Sequence, residues 1–240
     1  MSLDAIDAVN WSAIPNPTSH PFDAPECVAH ALRLLTVSTT ANETGDAASL
    51  LAGSGFICGH AAMVFPAAYA ATPILLDLIE HGQRPRIKNA ALGLLSNALD
   101  YFPTAGHNRV DTPYGIHVPL CCAIARHIRD RRTALLAHGI RGKRLLAEAD
   151  LHWRLTIEEA ELQADGNLTA IAVLEGAPFQ TPVEAELHIR PPFEQPVQTV
   201  RLGALTADVS GTVYTELGQT PFEHAPGSSL YSAECGRREH

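Results

Sequence analysis

The sequence is poor in aromatic and in charged residues. Phe, Trp and Tyr make up 6% of its 240 residues, and charged side chains 18%. Hydrophobic residues still reach 46%, which excludes wholesale disorder and a fibrous protein. Most of that content is Ala and Leu, favouring helix over at least part of the chain. Long apolar runs are missing as well. The longest, Ala61–Leu76, contains Pro66 and Pro73 and stops at Asp77, far from the roughly 20 residues of a membrane helix. The first seven residues hold Asp4 and Asp7 but no Lys or Arg, so a secretory n-region is lacking and the expected compartment is the cytoplasm.

Catalytic signatures are absent too. There is no HExxH and no histidine pair at i, i+4 among the 12 histidines; Asp77 and His81 stand at i, i+4 and read as a local helix-surface pair. Gly53-Ser54-Gly55 is not a Gly-x-Ser-x-Gly elbow. Cys58 near His60 reads as a buried structural thiol, and Gly139–Arg144 lacks the spacing of a phosphate loop. The five cysteines, Cys27, Cys58, Cys121, Cys122 and Cys235, are odd in number and form no CxxC. Reduced and mostly buried thiols are the expectation. No catalytic residue, cofactor or metal ligand is nominated. A metal-dependent hydrolase built from His and Asp side chains converging from distant positions stays open as the alternative.

Charge is unevenly placed. The net charge is −9, which argues against nucleic acid as a partner. Residues 1–150 hold 13 acidic and 12 basic residues, and residues 151–240 hold 13 acidic and 5 basic. Seven cations lie between Arg126 and Arg144 with one acid, Asp130, among them. The expectation is that they face the acidity of the second half within the same molecule.

Periodicity divides the chain in the same place. Apolar spacing is helical from Pro25 to about Ala149. Helices are expected from Pro25, over Ala47–Ile57, Pro66–His81, Arg84–Phe102, Ile116–His138 and Gly142–Ala149, with a break at Asn42–Gly45 and a long loop over Pro103–Tyr114. From Leu151 the spacing is two-fold, predicting strands at Leu151–Glu158, Leu168–Leu174, Val183–Ile189, Gln198–Leu202 and within Leu205–Tyr214. Asp165-Gly166, Pro191-Pro192 and Gly211 read as a turn, a strand end and a bulge or turn. The chain is expected to end in a loose tail.

Corresponding helices recur at about 40 to 50 residues, the period of an α-solenoid. The stretch Pro73-Ile-Leu-Leu-Asp77-Leu-Ile79, followed by a short turn and Pro85-Arg-Ile87-Lys88 through Leu99, resembles a HEAT repeat. The opening Trp11-x-x-Ile14-Pro15, with Gly59-His60 and Phe65–Pro73, is similar to bacterial HEAT-like proteins, some of which are immunity partners of secreted toxins. The expected fold is thus mainly α plus β: a short HEAT-like α-solenoid over 1–150, a small antiparallel β domain or cap over 151–222, and a tail over 223–240. The resemblance implies a non-enzymatic module that binds and occludes a secreted bacterial toxin domain, or a HEAT-like scaffold. Neither nucleic acid nor membrane is a partner in this reading. The candidate partner-binding residues are Asn97, Asp100 and Tyr101 at the end of the fourth helix, and Asn108, Arg109, Asp111 and Tyr114 in the loop that follows. Glu158, Glu184 and Glu186 on the polar strand face are the second set.

Overall fold

A computed structural model describes residues 2–18, 20–164, 168–189, 197–207, 212–217 and 226–240. The helical half contains α1 (Ser2–Asp7), α2 (Pro25–Val37), α3 (Ala41–Ala52), α4 (Ala67–His81), α5 (Pro85–Asp100), α6 (Leu120–Asp130), α7 (Arg132–Leu136) and α8 (Gly139–Asp150). Between them lie β1 (Ile57–Cys58), β2 (Met63–Val64) and β3 (Phe102–Pro103), which form one small sheet, and the hairpin of β4 (Arg109–Thr112) and β5 (Gly115–Pro119). The second half contains β6 (Arg154–Leu162), β7 (Leu168–Glu175), β8 (Val183–His188), β9 (Gln198–Ala207), β10 (Thr212–Leu217) and β11 (Ser229–Ser232), then α9 (Ala233–Arg237). No helix among the described residues is long and apolar enough to cross a membrane.

The helices follow local chemistry. Proline at the first turn opens α2 and α5, where its missing N–H costs nothing. In α5 the apolar positions Ile87, Ala91, Leu94, Leu95, Ala98 and Leu99 all fall on the buried face. Helix α3 starts earlier than its apolar pattern predicts, because Thr40 and Glu43 form a reciprocal cap. The Glu43 amide donates to Thr40 Oγ1 at 3.2 Å, and the Thr40 amide donates to Glu43 Oε2 at 3.0 Å. The expected break at Asn42–Gly45 therefore lies inside the helix. Thr40→Ala is expected to lower stability by about 1 kcal/mol in urea titration, with the loss confined to fraying of α3.

The solenoid expectation is corrected. The protein is α+β, with a closed six-stranded antiparallel barrel in place of a β cap. In a solenoid each repeat touches only its neighbours. Here α4 is buried along Ala67, Ala68, Ala71, Ile74, Leu75, Leu76, Leu78 and Ile79 and packs against α1, α2, α5, α6 and α7. A helix that is apolar on most of its surface belongs at the centre of a globular layer. The third helix pair, α6 and α8, is present but begins later than expected and packs on α4 and α5 as part of the same layer. Its expected start is taken by β5, and the Pro103–Tyr114 stretch folds into β3 and the β4–β5 hairpin.

The barrel runs β10-β7-β6-β11-β8-β9 and closes between β9 and β10. Leu155, Ile157, Leu168, Leu187, Val200, Leu202, Val213, Leu217 and Leu230 fill its interior with Ala170, Ala172 and Ala185, whose small side chains suit a narrow bore. Closure leaves no free edges. The expected loose tail supplies β11, which pairs with both β6 and β8. The expected Asp165-Gly166 turn, the Pro191-Pro192 strand end and the Gly211 bulge or turn lie outside the described residues.

Pairing register sets which side chains face the helical half. Arg154, Tyr231 and Glu186 stand in one cross-strand row on β6, β11 and β8, and Thr156, Ser229 and His188 stand in the next. Their neighbours Leu155, Leu230 and Leu187 point into the barrel, so these six share its outer face. That face meets α6, α9 and the β4–β5 hairpin. Of the Arg-rich stretch, Arg131 pairs with Glu80 at 2.9 Å, Arg132 with Asp150 at 2.9 Å and Arg144 with Glu148 at 2.8 Å, within the helical half and not with the second half as expected, whereas Arg129 faces Glu175 of β7.

Candidate metal centre

Three separate segments meet at the seam. Helix α6 begins after Pro119, and its first turn carries Cys121 and Cys122. Consecutive helical residues point about 100° apart. In a first turn, however, side chains tilt back over the helix N-terminus, and both thiols can approach a group lying there. His152 sits in the turn between α8 and β6, its amide bonded to the Ala149 carbonyl at 3.2 Å. Cys235 lies in α9, brought in by β11. One ligand atom from each of Cys121, Cys122, His152 and Cys235 lies within 4.8 Å of all the others, and His152 Nδ1 is 3.3 Å from Cys235 Sγ. The four residues are between 1% and 8% exposed.

The geometry suits a tetrahedral ion. With Zn–S bonds of ~2.3 Å, tetrahedral sulfurs stand about 3.8 Å apart, so a shift of less than an ångström closes the set. Three thiolates and one imidazole form a soft donor set that favours zinc over the oxygen-seeking cations. With Nδ1 facing the thiols, ligation requires the imidazole proton on Nε2.

Electrostatics point the same way. Hydrogen bonds from Cys122 and Cys235 hold the Cys121 thiol well below its usual range, against the opposing effect of burial. Burial, then the hydrogen bond to Cys121, pushes Cys122 up, and the hydrogen bond to Cys121 pushes Cys235 up. Without an ion the three sulfurs pull one another in opposite directions. A divalent cation removes that conflict by favouring thiolate at each. The helix N-terminus beneath Cys121 and Cys122 favours thiolate as well.

The surroundings fix the ligands. Arg129 reaches from α6 to the carbonyls of Ala149 and His152 at 2.7 and 3.0 Å, holding the turn that carries the imidazole. Burial lowers the Arg129 guanidinium, against the opposing effect of the Glu175 and Asp150 carboxylates. The Asn108 carbonyl accepts the Leu120 amide at 2.8 Å, and its Nδ2 donates to the Gly236 carbonyl at 2.7 Å. One residue thereby places the start of α6 and the middle of α9. Arg109 donates to both oxygens of Glu186 at 2.9 and 2.7 Å and to the Gly236 carbonyl at 3.2 Å. A Cβ at position 236 would lie 1.8 Å from Glu186 Oε1, so glycine there lets α9 lie against the carboxylate. A surface cleft of about 460 Å³, lined in part by His152, Cys235, Phe102 and Arg238, provides an entry path.

The sequence candidates divide accordingly. Asn108, Arg109 and Glu186 come together as the clamp around α9, and Tyr114, at the tip of the β4–β5 hairpin, lies beneath the guanidinium groups of Arg126 and Arg154 at 4.0 and 5.3 Å. Glu184 pairs with Arg237 of α9 at 2.6 Å. The Asp100 carbonyl accepts from Arg238. The remaining candidates stand apart: Asn97 lines a shallow groove with Arg141 and Arg144, and Tyr101 packs half-buried on the helical core. Asp111 accepts the His117 amide at 2.9 Å at the surface. Glu158 is exposed at a bulge in β6, where the register slips between Ile157 and Glu159. His81 lies 3.7 Å from Asp77, as a local pair. The four metal-competent residues were not nominated from the sequence. A usable signal was present: two adjacent cysteines just after Pro119-Leu120, in the first turn of a helix, where both can point at one ligand.

Compared with known proteins, the chain matches no family model, no curated protein and no solved structure.

Proposed function

We propose that this protein binds one zinc ion through Cys121, Cys122, His152 and Cys235 and uses it to lock the barrel and the C-terminal helix onto the helical layer. The observation that carries this reading is the convergence of four buried ligand atoms from three segments distant in sequence. Four protein ligands close the coordination sphere, which is the arrangement of structural rather than catalytic zinc. The hydrolase alternative required an open position and a set of His and Asp, and this donor set is three thiols and one imidazole. The toxin-occluding role was implied by the solenoid resemblance, and no feature of the seam favours it over the metal reading.

Purified protein is expected to contain one equivalent of zinc, lost on denaturation with chelator and restored on refolding with zinc. Cobalt substitution is expected to give thiolate-to-metal charge-transfer absorption and the intense d–d bands of a tetrahedral site. Protein refolded with excess zinc that holds no stoichiometric metal overturns the reading.

A further inference from the structure

A second cavity lies on the other side of Tyr231, between the outer face of the barrel and the β4–β5 hairpin. Its volume is about 460 Å³, within the range of small-molecule sites. One wall is the polar grid of β6, β11 and β8: Arg154, Thr156, Ser229, Tyr231 and His188. The other is the hairpin, from Thr112 to Val118. We infer that this cavity binds a small amphipathic anion, with its acidic head at Arg154 and its apolar body along the hairpin wall.

The lining carries the inference. It includes one permanent cation, Arg154, two histidines and several hydroxyls, and no carboxylate among the described residues. Arg154 is 8% exposed. Its Nε and Nη2 donate to Ser229 Oγ at 3.1 and 2.8 Å, and Nη1 lies 3.6 Å from Glu175. A guanidinium has five N–H donors, so these partners leave capacity for a further acceptor. The nearby acid Glu186 does not compete, because Arg109 and His188 hold it. Arg126 adds positive charge over the same Tyr114 ring, and its Nη1 is buried with no hydrogen-bond partner among the described residues. An anion entering here meets donors and positive charge with no compensating carboxylate in the wall.

The rest of the lining selects the body of the ligand. Pro113, Ile116, Val118 and Val197 supply apolar surface. His117 lies at the mouth with φ of +53°, a backbone conformation uncommon outside glycine. The Asp111 carboxylate accepts its amide and holds it there. Such residues persist where the surrounding structure over-determines them, often at ligand sites.

The test is calorimetric titration of the metal-loaded protein with sodium octanoate, octyl phosphate, octanol and octylamine. Octanoate or octyl phosphate is expected to bind about tenfold or more tightly than octanol, the loss expected when one charge-assisted contact is missing, and octylamine is expected not to bind. Preference between the two anions distinguishes a carboxylate from a phosphate ligand. Arg154→Met is expected to reduce anion binding to the octanol level, and Arg154→Lys to retain part of it. Octanol binding as tightly as both anions overturns the inference without any variant. So does unchanged anion affinity in a folded Arg154→Met protein, or a complex structure that places the head group away from Arg154.

Discussion

Replacing Cys235 with serine is expected to lower stability by about 3–5 kcal/mol, within the class of large losses that follow removal of a metal or a buried network. For a chain of this size that corresponds to a fall in Tm of roughly 10 °C. Structural zinc contributes about 10–16 kcal/mol in zinc-finger peptides that have no other core. Here both halves keep a core of their own, the helical cluster around α4 and the barrel interior, so only the seam depends on the ion. The loss should be local. Cys235 is the sole cluster member in α9, and α9 continues directly from β11, a strand flanked on both sides within the barrel. Amide exchange is expected to rise across Ser229–Arg237 before it rises in α4 or α5. Chelator should bring the wild type to the level of the variant and leave the variant unchanged. Cys27→Ser and Cys58→Ser, at half-buried thiols outside the cluster, should shift stability by no more than about 0.5 kcal/mol. A wild-type Tm indifferent to chelator would show that no ion holds the seam.

Much of this architecture is readable locally, and what is not readable is non-local. The 3-4 spacing of Ile87 through Leu99 identifies α5 and its buried face. The alternation of Val183 through His188 identifies β8. The solenoid expectation fails because the local pattern of a repeat, seen in α4 and α5, does not fix how further helices stack. Whether further pairs stack on this one depends on contacts that α4 makes with α1, α6 and α7. The C-terminal segment misleads for a related reason. Gly227-Ser228-Ser229 has the composition of a linker, yet Ser228 and Ser229 are buried, and Ser229 accepts both bonds from Arg154. Small polar residues are loop-like alone and serve as acceptors when a guanidinium is delivered from another strand.

The candidate site was legible in fragments. Asn108, Arg109 and Glu186 were singled out as polar residues in a long loop and on a strand face, and they do act together, on α9. Their ligands-to-be neighbours were not, because metal motifs are recognised by short spacings, and Cys121, His152 and Cys235 share no such spacing. Only the closure of the barrel by β11 carries Cys235 back to the start of α6. The acidity of the second half also changes meaning with position. Glu158 and Glu184 remain at the surface, whereas Glu186, two residues along the same strand from Glu184, is 5% exposed and lies under α9.

That burial makes the Arg109–Glu186 pair the second point of large effect. Arg109→Ala is expected to cost about 3–5 kcal/mol, because it leaves the Glu186 carboxylate in the seam with His188 as its remaining polar partner. Replacing both partners, Arg109→Met with Glu186→Leu, is expected to recover most of the loss, since an apolar pair of similar volume avoids the desolvation of two charges. The pair also sets a pH dependence. Burial would raise the Glu186 carboxyl. Hydrogen bonds from His188 and Arg109, with the Arg109 charge, outweigh it and hold the group at about 2, against an ordinary 4.5. A folded-state value below the unfolded one gives stability that is complete above about pH 4.5 and is lost as the pH falls toward 2, about 3 kcal/mol in all. Acid also releases zinc by protonating the thiolates, so the measurement belongs in the Cys235→Ser background. There, urea midpoints of the parent should fall between about pH 5 and pH 3. With Glu186→Gln added, that part of the slope should vanish, while stability at neutral pH drops by the amount the carboxylate contributed. An unchanged slope would mean that Arg109 and His188 do not hold Glu186 ionised in the folded seam.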